Sequence, residues 1–192
     1  MSFLRTFAPW IAYAVASAVV DWRLGAVLAL AVATAELVRQ RRVHRRADAL
    51  TVATAAFFAG LAVVSLADPT AALHRFTPAL ALGLLGVVAL GSLARGAPFT
   101  LAIARRSTPP ELWDHPGFLA ANVAITRVWA VSFLITAAAC LVVLAVDPEA
   151  TALWVGAQVI GFAVPLAYTD ARRRRARAAS AAVLAAGPSD RA

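Results

Sequence analysis

The stretch RQRRVHRRAD, Arg39–Asp48, runs directly into ALTVATAAFFAGLAVVSLA, Ala49–Ala67, which stops at Asp68-Pro69. Nineteen residues without a charge lie between a basic break and an acidic one. A membrane span needs roughly 20 apolar residues to cross a hydrocarbon core about 30 Å thick, so Ala49–Ala67 reads as one crossing. Arginine resists translocation and collects on the cytoplasmic side, so the same stretch also sets a direction: Arg39–Arg46 inside, Asp68 outside.

The pattern repeats along the chain. Apolar runs cover about 7–20, 24–38, 49–67, 78–94, 128–146 and 151–169. The breaks alternate between arginine-rich (Arg39–Arg46, Arg95–Arg127, Arg172–Arg177) and arginine-poor (Asp21–Arg23, Asp68–Thr77, Asp147–Ala150). Sixteen of the 18 basic residues, all of them arginine, fall on one side of this scheme. The expected fold class is therefore all-α: a polytopic membrane helix bundle of six transmembrane helices with both termini cytoplasmic. Residues 1–175 form a single transmembrane domain that includes an inner loop over 95–127, and 176–192 form a flexible cytoplasmic tail. The first two runs are short and reach adequate length only if flanking residues sit in the interfaces. An uncleaved first helix fits the alternation better than a signal peptide, because removing it would set an odd number of crossings against the arginines.

A hydrophobic content of 61% and a mean hydropathy of +0.76 place the chain far from ordinary soluble composition. The net charge of +8 does not indicate nucleic acid, because no binding motif or interleaved aromatic residue accompanies it. Its expected partner is anionic lipid of the inner leaflet, met by Arg41, Arg42, Arg45 and Arg46 and by Arg172, Arg173, Arg174 and Arg175. Trp10, Trp22, Trp129 and Trp154 lie near run ends, where indoles anchor at headgroup level. The lone Cys140 lies inside the fifth run and reads as a small buried apolar residue.

Two turns resemble one another, Asp68-Pro69-Thr70-Ala71-Ala72-Leu73 and Asp147-Pro148-Glu149-Ala150-Thr151-Ala152-Leu153, and Asp21 occupies the equivalent place in the first hairpin. Three repeated helical hairpins would account for the whole chain. Small residues at four-residue spacing, including Ala55/Ala59, Ala79/Gly83 and Ala157/Gly161, would let helix backbones approach closely. Leucine at Gly83 or Gly161 is accordingly expected to push helices apart.

Chemistry-bearing residues are few. No ionisable side chain lies in the middle of a run, which argues against proton-coupled pumping. Gln158 is the mid-run amide and needs a partner, expected on another helix. In the inner loop, Thr108-Pro109-Pro110-Glu111 reads as a capping box that starts a short helix ending near His115. On such a helix Glu111, Asp114 and His115 would share one face, as an acid–base or metal site requires. No second cluster completes it, so no catalytic residue, metal or cofactor is assigned.

Several features together resemble the intracellular septation protein A family of bacterial inner-membrane proteins. These are Pro9 and Tyr13 in the first run, the basic break before Ala49-Leu50-Thr51, and Gly96-Ala97-Pro98-Phe99-Thr100 after the fourth. The Trp113 loop and Trp129-Ala130-Val131-Ser132-Phe133 match as well. The likeness extends from Pro9 to Arg175; the chain departs from it in having no lysine and a longer proline-rich inner loop. It implies a non-enzymatic inner-membrane protein of envelope maintenance or division that works through helix packing and protein partners, with homo-oligomers allowed. The alternatives are a small-molecule transporter or channel and a membrane-embedded lipid enzyme using the 95–127 loop.

Overall fold

The computed structural model describes residues 2–68, 70, 72–105 and 108–185. It is helical: α1 Ser2–Val19, α2 Trp22–His44, α3 Ala49–Ala67, α4 Leu73–Ala94, α5 Phe99–Arg105, a 3-10 turn Pro110–Leu112, α6 Pro116–Val146 and α7 Thr151–Ala185. Among the described residues there is no strand. Among the described residues, four helices have segments long and apolar enough to cross a membrane: Ala49–Ala67, His74–Ala94, Pro116–Val146 and Thr151–Ala176. Their outer faces present Val63, Leu66, Val87, Ile135, Val142 and Val159. An apolar surface of this extent suits lipid and is not tolerated by a soluble monomer.

Helix starts follow from side-chain caps. Asp21 accepts from Leu24 N at 2.8 Å and opens α2, and Asp48 accepts from Thr51 N at 2.8 Å and opens α3. Both satisfy amide donors that an uncapped helix leaves open. His115 Nδ1 accepts from Gly117 N at 3.1 Å, with Pro116 in the first helical position, and so opens α6. The Leu24 hydrogen bond holds the Asp21 carboxyl below its ordinary range, with Arg23 adding to the effect against partial desolvation.

The helices extend beyond the apolar runs. α2 continues through the arginines to His44, where Arg45 turns left-handed at φ 55°. α6 begins at Pro116 rather than 128, and α7 runs on to Ala185, past the boundary at 175 drawn from the sequence. Residues 186–192 of the expected tail lie outside the described residues.

The core has two centres. α2 packs between α1 and α3, with Ala26, Ala29 and Ala33 buried along one face so that the backbones approach closely. Phe58, Leu61 and Ala62 complete this centre. The second joins α4, α6 and α7 around Leu82, Leu85, Trp129, Phe133 and Cys140. Trp10 packs against both centres, 5.3 Å from Phe57 and 4.8 Å from Phe58 between ring centroids.

α6 and α7 run antiparallel, tied by Trp129 Nε1 to Thr169 Oγ1 at 3.1 Å, Ser132 Oγ to Gly161 O at 2.6 Å and Cys140 Sγ to Trp154 O at 3.8 Å. The middle contact has a covalent cause. Pro165 has no N–H to give the carbonyl one turn back, which is that of Gly161, and Ser132 donates to it instead. At Gly161 a Cβ would lie 2.0 Å from Thr136 Oγ1, so the close approach expected of this glycine is present. At Gly83 a Cβ would meet nothing within 4 Å, and the expectation of a tight contact there is corrected. The other close approaches are Gly25 against Ser17 and Gly86 against Leu134.

The resemblance among the three aspartate turns, at Asp21, Asp68 and Asp147, holds for two of them. Asp68 and Asp147 each end a helix in extended conformation, and their carboxylates accept from the amides of Thr70 and Glu149. Neither caps the helix that follows, and Asp21 starts a helix instead of ending one.

Candidate functional site

At the arginine-rich end of the bundle, the α2–α3 turn faces α5 and the segment after it. Between them lies a cleft of about 420 Å³, lined by Gln40, Arg46, Ala47, Asp48, Ala102, Arg105 and Trp113. Each wall is held by buried polar bonds.

The α2–α3 wall turns on Gln40, only 2% exposed. Its Nε2 donates to Thr51 Oγ1 at 2.9 Å and to Glu36 Oε1 at 3.2 Å, and its Oε1 accepts from Asp48 N at 3.1 Å. Glu36 also takes Arg39 Nε at 2.8 Å, which raises the Arg39 pKa, chiefly through that hydrogen bond. A buried amide with its donor and acceptor both engaged rigidifies a turn, because each lost partner leaves an unsatisfied group. The end of α2 is thereby locked to the start of α3.

The opposite wall hangs from α6. Thr100 Oγ1 lies 2.7 Å from Thr126 Oγ1 and donates to Asn122 O at 3.1 Å, both contacts buried. Phe99 N donates to Ser92 Oγ at 3.1 Å, which ties the start of α5 to α4. From the end of α5, Thr108 Oγ1 reaches back to Ala104 O at 2.9 Å, and Trp113 Nε1 donates to Thr108 O at 3.0 Å. The indole is thus fixed, and the Arg105 guanidinium lies over it at 5.2 Å from the ring centroid. Such a stack fixes the plane of the cation while leaving its edge free to bind. Arg105 Nε is buried with no hydrogen-bond partner among the described residues. An unsatisfied buried donor costs on the order of 1–3 kcal/mol, so this atom calls for an acceptor.

The residues singled out from sequence fall elsewhere. Glu111, Asp114 and His115 are exposed and share no helix, since Glu111 sits in the 3-10 turn and His115 caps α6. No group of three metal-capable side chains occurs among the described residues. The expected capping box does not form. Pro110 forces its predecessor into extended conformation, and Pro109 (φ −54°, ψ 140°) becomes the cap, leaving Thr108 outside the turn. Gln158 donates to Trp154 O on its own helix at 3.4 Å, in place of the expected partner on another helix.

The tryptophans divide. Trp129 is 3% exposed and belongs to the core, beside Phe133 and Phe162, which corrects its reading as an interface anchor. Trp22 stacks on His74 at 5.3 Å, and Trp10 and Trp154 are half-buried against the core. Arg41, Arg42, Arg45 and Arg46 are exposed, and of these Arg46 lines the cleft. Of the exposed Arg172–Arg175 cluster, Arg172 lies over Tyr168 and Arg174 pairs with Asp170 at 2.7 Å. Gln40 and Arg105 are not singled out by the sequence, where they fall within the arginine-rich breaks Arg39–Arg46 and Arg95–Arg127. Asp48-Ala49-Leu50-Thr51 directly before an apolar run was the available signal, since it marks a helix start.

No family model, no curated protein and no solved structure matches this chain.

Proposed function

We propose that this chain is a non-enzymatic, multi-pass protein of the bacterial inner membrane, of the septation protein A type. It serves envelope maintenance or division through helix packing and protein partners. In this reading α1 and α2 join the four longer helices as crossings, giving six, with both termini and the 95–127 segment in the cytoplasm. At about 1.5 Å per residue, the 18 residues of α1 reach about 27 Å, close to the hydrocarbon thickness. Trp10 and Tyr13 of α1 pack against Phe58 near the middle of α3, which supports a common depth.

The observation that carries the non-enzymatic reading is the use made of polar groups. Ser132, Thr136, Thr169, Ser65 and Ser92 bond to backbone carbonyls, and Thr100 bonds to Thr126 and a carbonyl. Ser65, Ser92 and Thr136 bond back to their own helices, while Ser132, Thr100 and Thr169, which also accepts from Trp129, tie neighbouring helices; side chains engaged in this way do not line a path for a polar substrate. The groove of about 540 Å³ between α6 and α7 is edged by Val128, Val131, Ile135, Ile160 and Val164, a surface for acyl chains.

The test is rescue of a strain deleted for the gene. Glu111→Gln, Asp114→Asn and His115→Gln together should preserve rescue, with loss of the His115 cap costing about 0.5–2 kcal/mol at most. Gly161→Leu, which separates α6 from α7, should abolish it. A triple variant that is inserted at normal levels yet fails to rescue would favour the lipid-enzyme alternative.

A further inference from the structure

We propose that the cleft between the α2–α3 turn and α5 is a binding site for a phosphate group, with Arg105 as the principal ligand and Arg46 as the second. Four observations converge on it. The Arg105 guanidinium is oriented in advance by its stack on Trp113, and Trp113 is fixed by its bond to Thr108. Arg105 Nε has no acceptor among the described residues. Arg46 lines the cleft from a different element, so two cations approach from opposite walls. The carboxylate there, Asp48, is already engaged in capping α3.

A planar guanidinium that lines a cavity can meet two oxygens of a phosphate at once. A compact ammonium or neutral ligand would gain nothing from the same arrangement, and a cation would be repelled by two arginines. The cleft volume of about 420 Å³ exceeds what a lone carboxylate fills and suits a phosphate carrying an organic group. The site lies directly before the first residues of α3, the depth of lipid phosphates if α3 crosses the membrane. That choice of source rests on the proposed crossing; the phosphate chemistry does not. A lipid headgroup and a free phosphate share this chemistry, and the two are separated by competition.

The full chain in detergent micelles is titrated with dihexanoyl phosphatidate at fixed salt, with tryptophan fluorescence and equilibrium dialysis as readouts. Dihexanoylglycerol, which lacks the phosphate, and inorganic phosphate are titrated in parallel. Saturable phosphatidate binding is expected, weakened about ten-fold or more by Arg105→Gln and unaffected by Arg75→Gln, an exposed arginine at the start of α4 and outside the cleft. Arg105→Lys keeps the charge without the fork and should give an intermediate loss, which decides the matter if the Gln variant unfolds. Displacement by inorganic phosphate at similar concentration assigns the site to free phosphate, and displacement by phosphatidate alone assigns it to the headgroup. Equal binding of dihexanoylglycerol, or equal losses in Arg105→Gln and Arg75→Gln, would overturn the proposal. Binding in micelles is independent of how the chain crosses a membrane, so failure of the crossing scheme and failure of the site are told apart.

Discussion

Replacing Gly161 by alanine tests the seam between α6 and α7. The new methyl would lie 2.0 Å from Thr136 Oγ1 and 2.9 Å from both Thr136 Cβ and Cγ2. Rotation about χ1 moves Oγ1 and Cγ2 but not Cβ, so the two backbones must separate. Overpacking of this kind costs about 1–3 kcal/mol. Separation also stretches the 2.6 Å bond from Ser132 Oγ to Gly161 O, and interhelical bonds in membrane proteins average about 0.6 kcal/mol. The expected loss is therefore about 2–3 kcal/mol. Equilibrium unfolding in an SDS titration gives the value. Gly83→Ala is the control, since its added methyl meets nothing within 4 Å and should leave stability unchanged or slightly raised through helix propensity. Thr136→Gly removes all three clashing atoms, so the double variant should recover part of the loss as a favourable coupling. A Gly161→Ala protein within about 0.5 kcal/mol of the parent, the range of an inert surface change, would refute the reasoning.

Two further predictions concern other parts of the fold. Gln40→Leu leaves the Thr51 hydroxyl and the Asp48 amide without their partner, so about 2–4 kcal/mol should be lost in the same titration, and a loss matching that of an exposed Arg41→Leu control would contradict the role assigned to Gln40. Asp21 has a folded pKa below its unfolded one, so its stabilisation is present above the unfolded value and lost as pH falls through the folded value. The stability difference between the parent and Asp21→Asn should be flat from about pH 5 to 8 and shrink below about pH 4, whereas a constant difference down to pH 2 would mean that the charge contributes nothing.

The long uncharged runs were legible because a span announces itself by length and apolarity, and Ala49–Ala67 coincides with α3. Helix ends beyond the runs were not. Arginine is a good helix former, so α2 continues through the basic break where the apolar run stops. Likewise α6 starts at Pro116, because Asn122 and Thr126 have helical neighbours to bond that hydropathy does not register. Gly161 was legible from its spacing to Ala157, yet the same spacing misled at Gly83, because periodicity marks a face without saying whether a neighbour occupies it. The candidate site was hidden for a similar reason. Gln40 and Arg105 acquire their roles only when the α2–α3 turn and α5 meet, and nothing in either segment alone names the other. Trp129 shows the converse: proximity to a run end suggested an interface, while the aromatic residues of α6 and α7 enclose it.

The central claim is a six-crossing bundle with its arginine-rich end in the cytoplasm. Single cysteines in a Cys140→Ala background, placed in the full-length protein of intact cells, test it most directly. Cysteines at Arg23, Thr70 and Glu149 should react with a membrane-impermeant maleimide from outside, and those at Arg46, Thr108 and Arg175 only after the membrane is opened. Labelling of Arg46→Cys or Thr108→Cys in sealed cells, or protection of Arg23→Cys, would contradict the account.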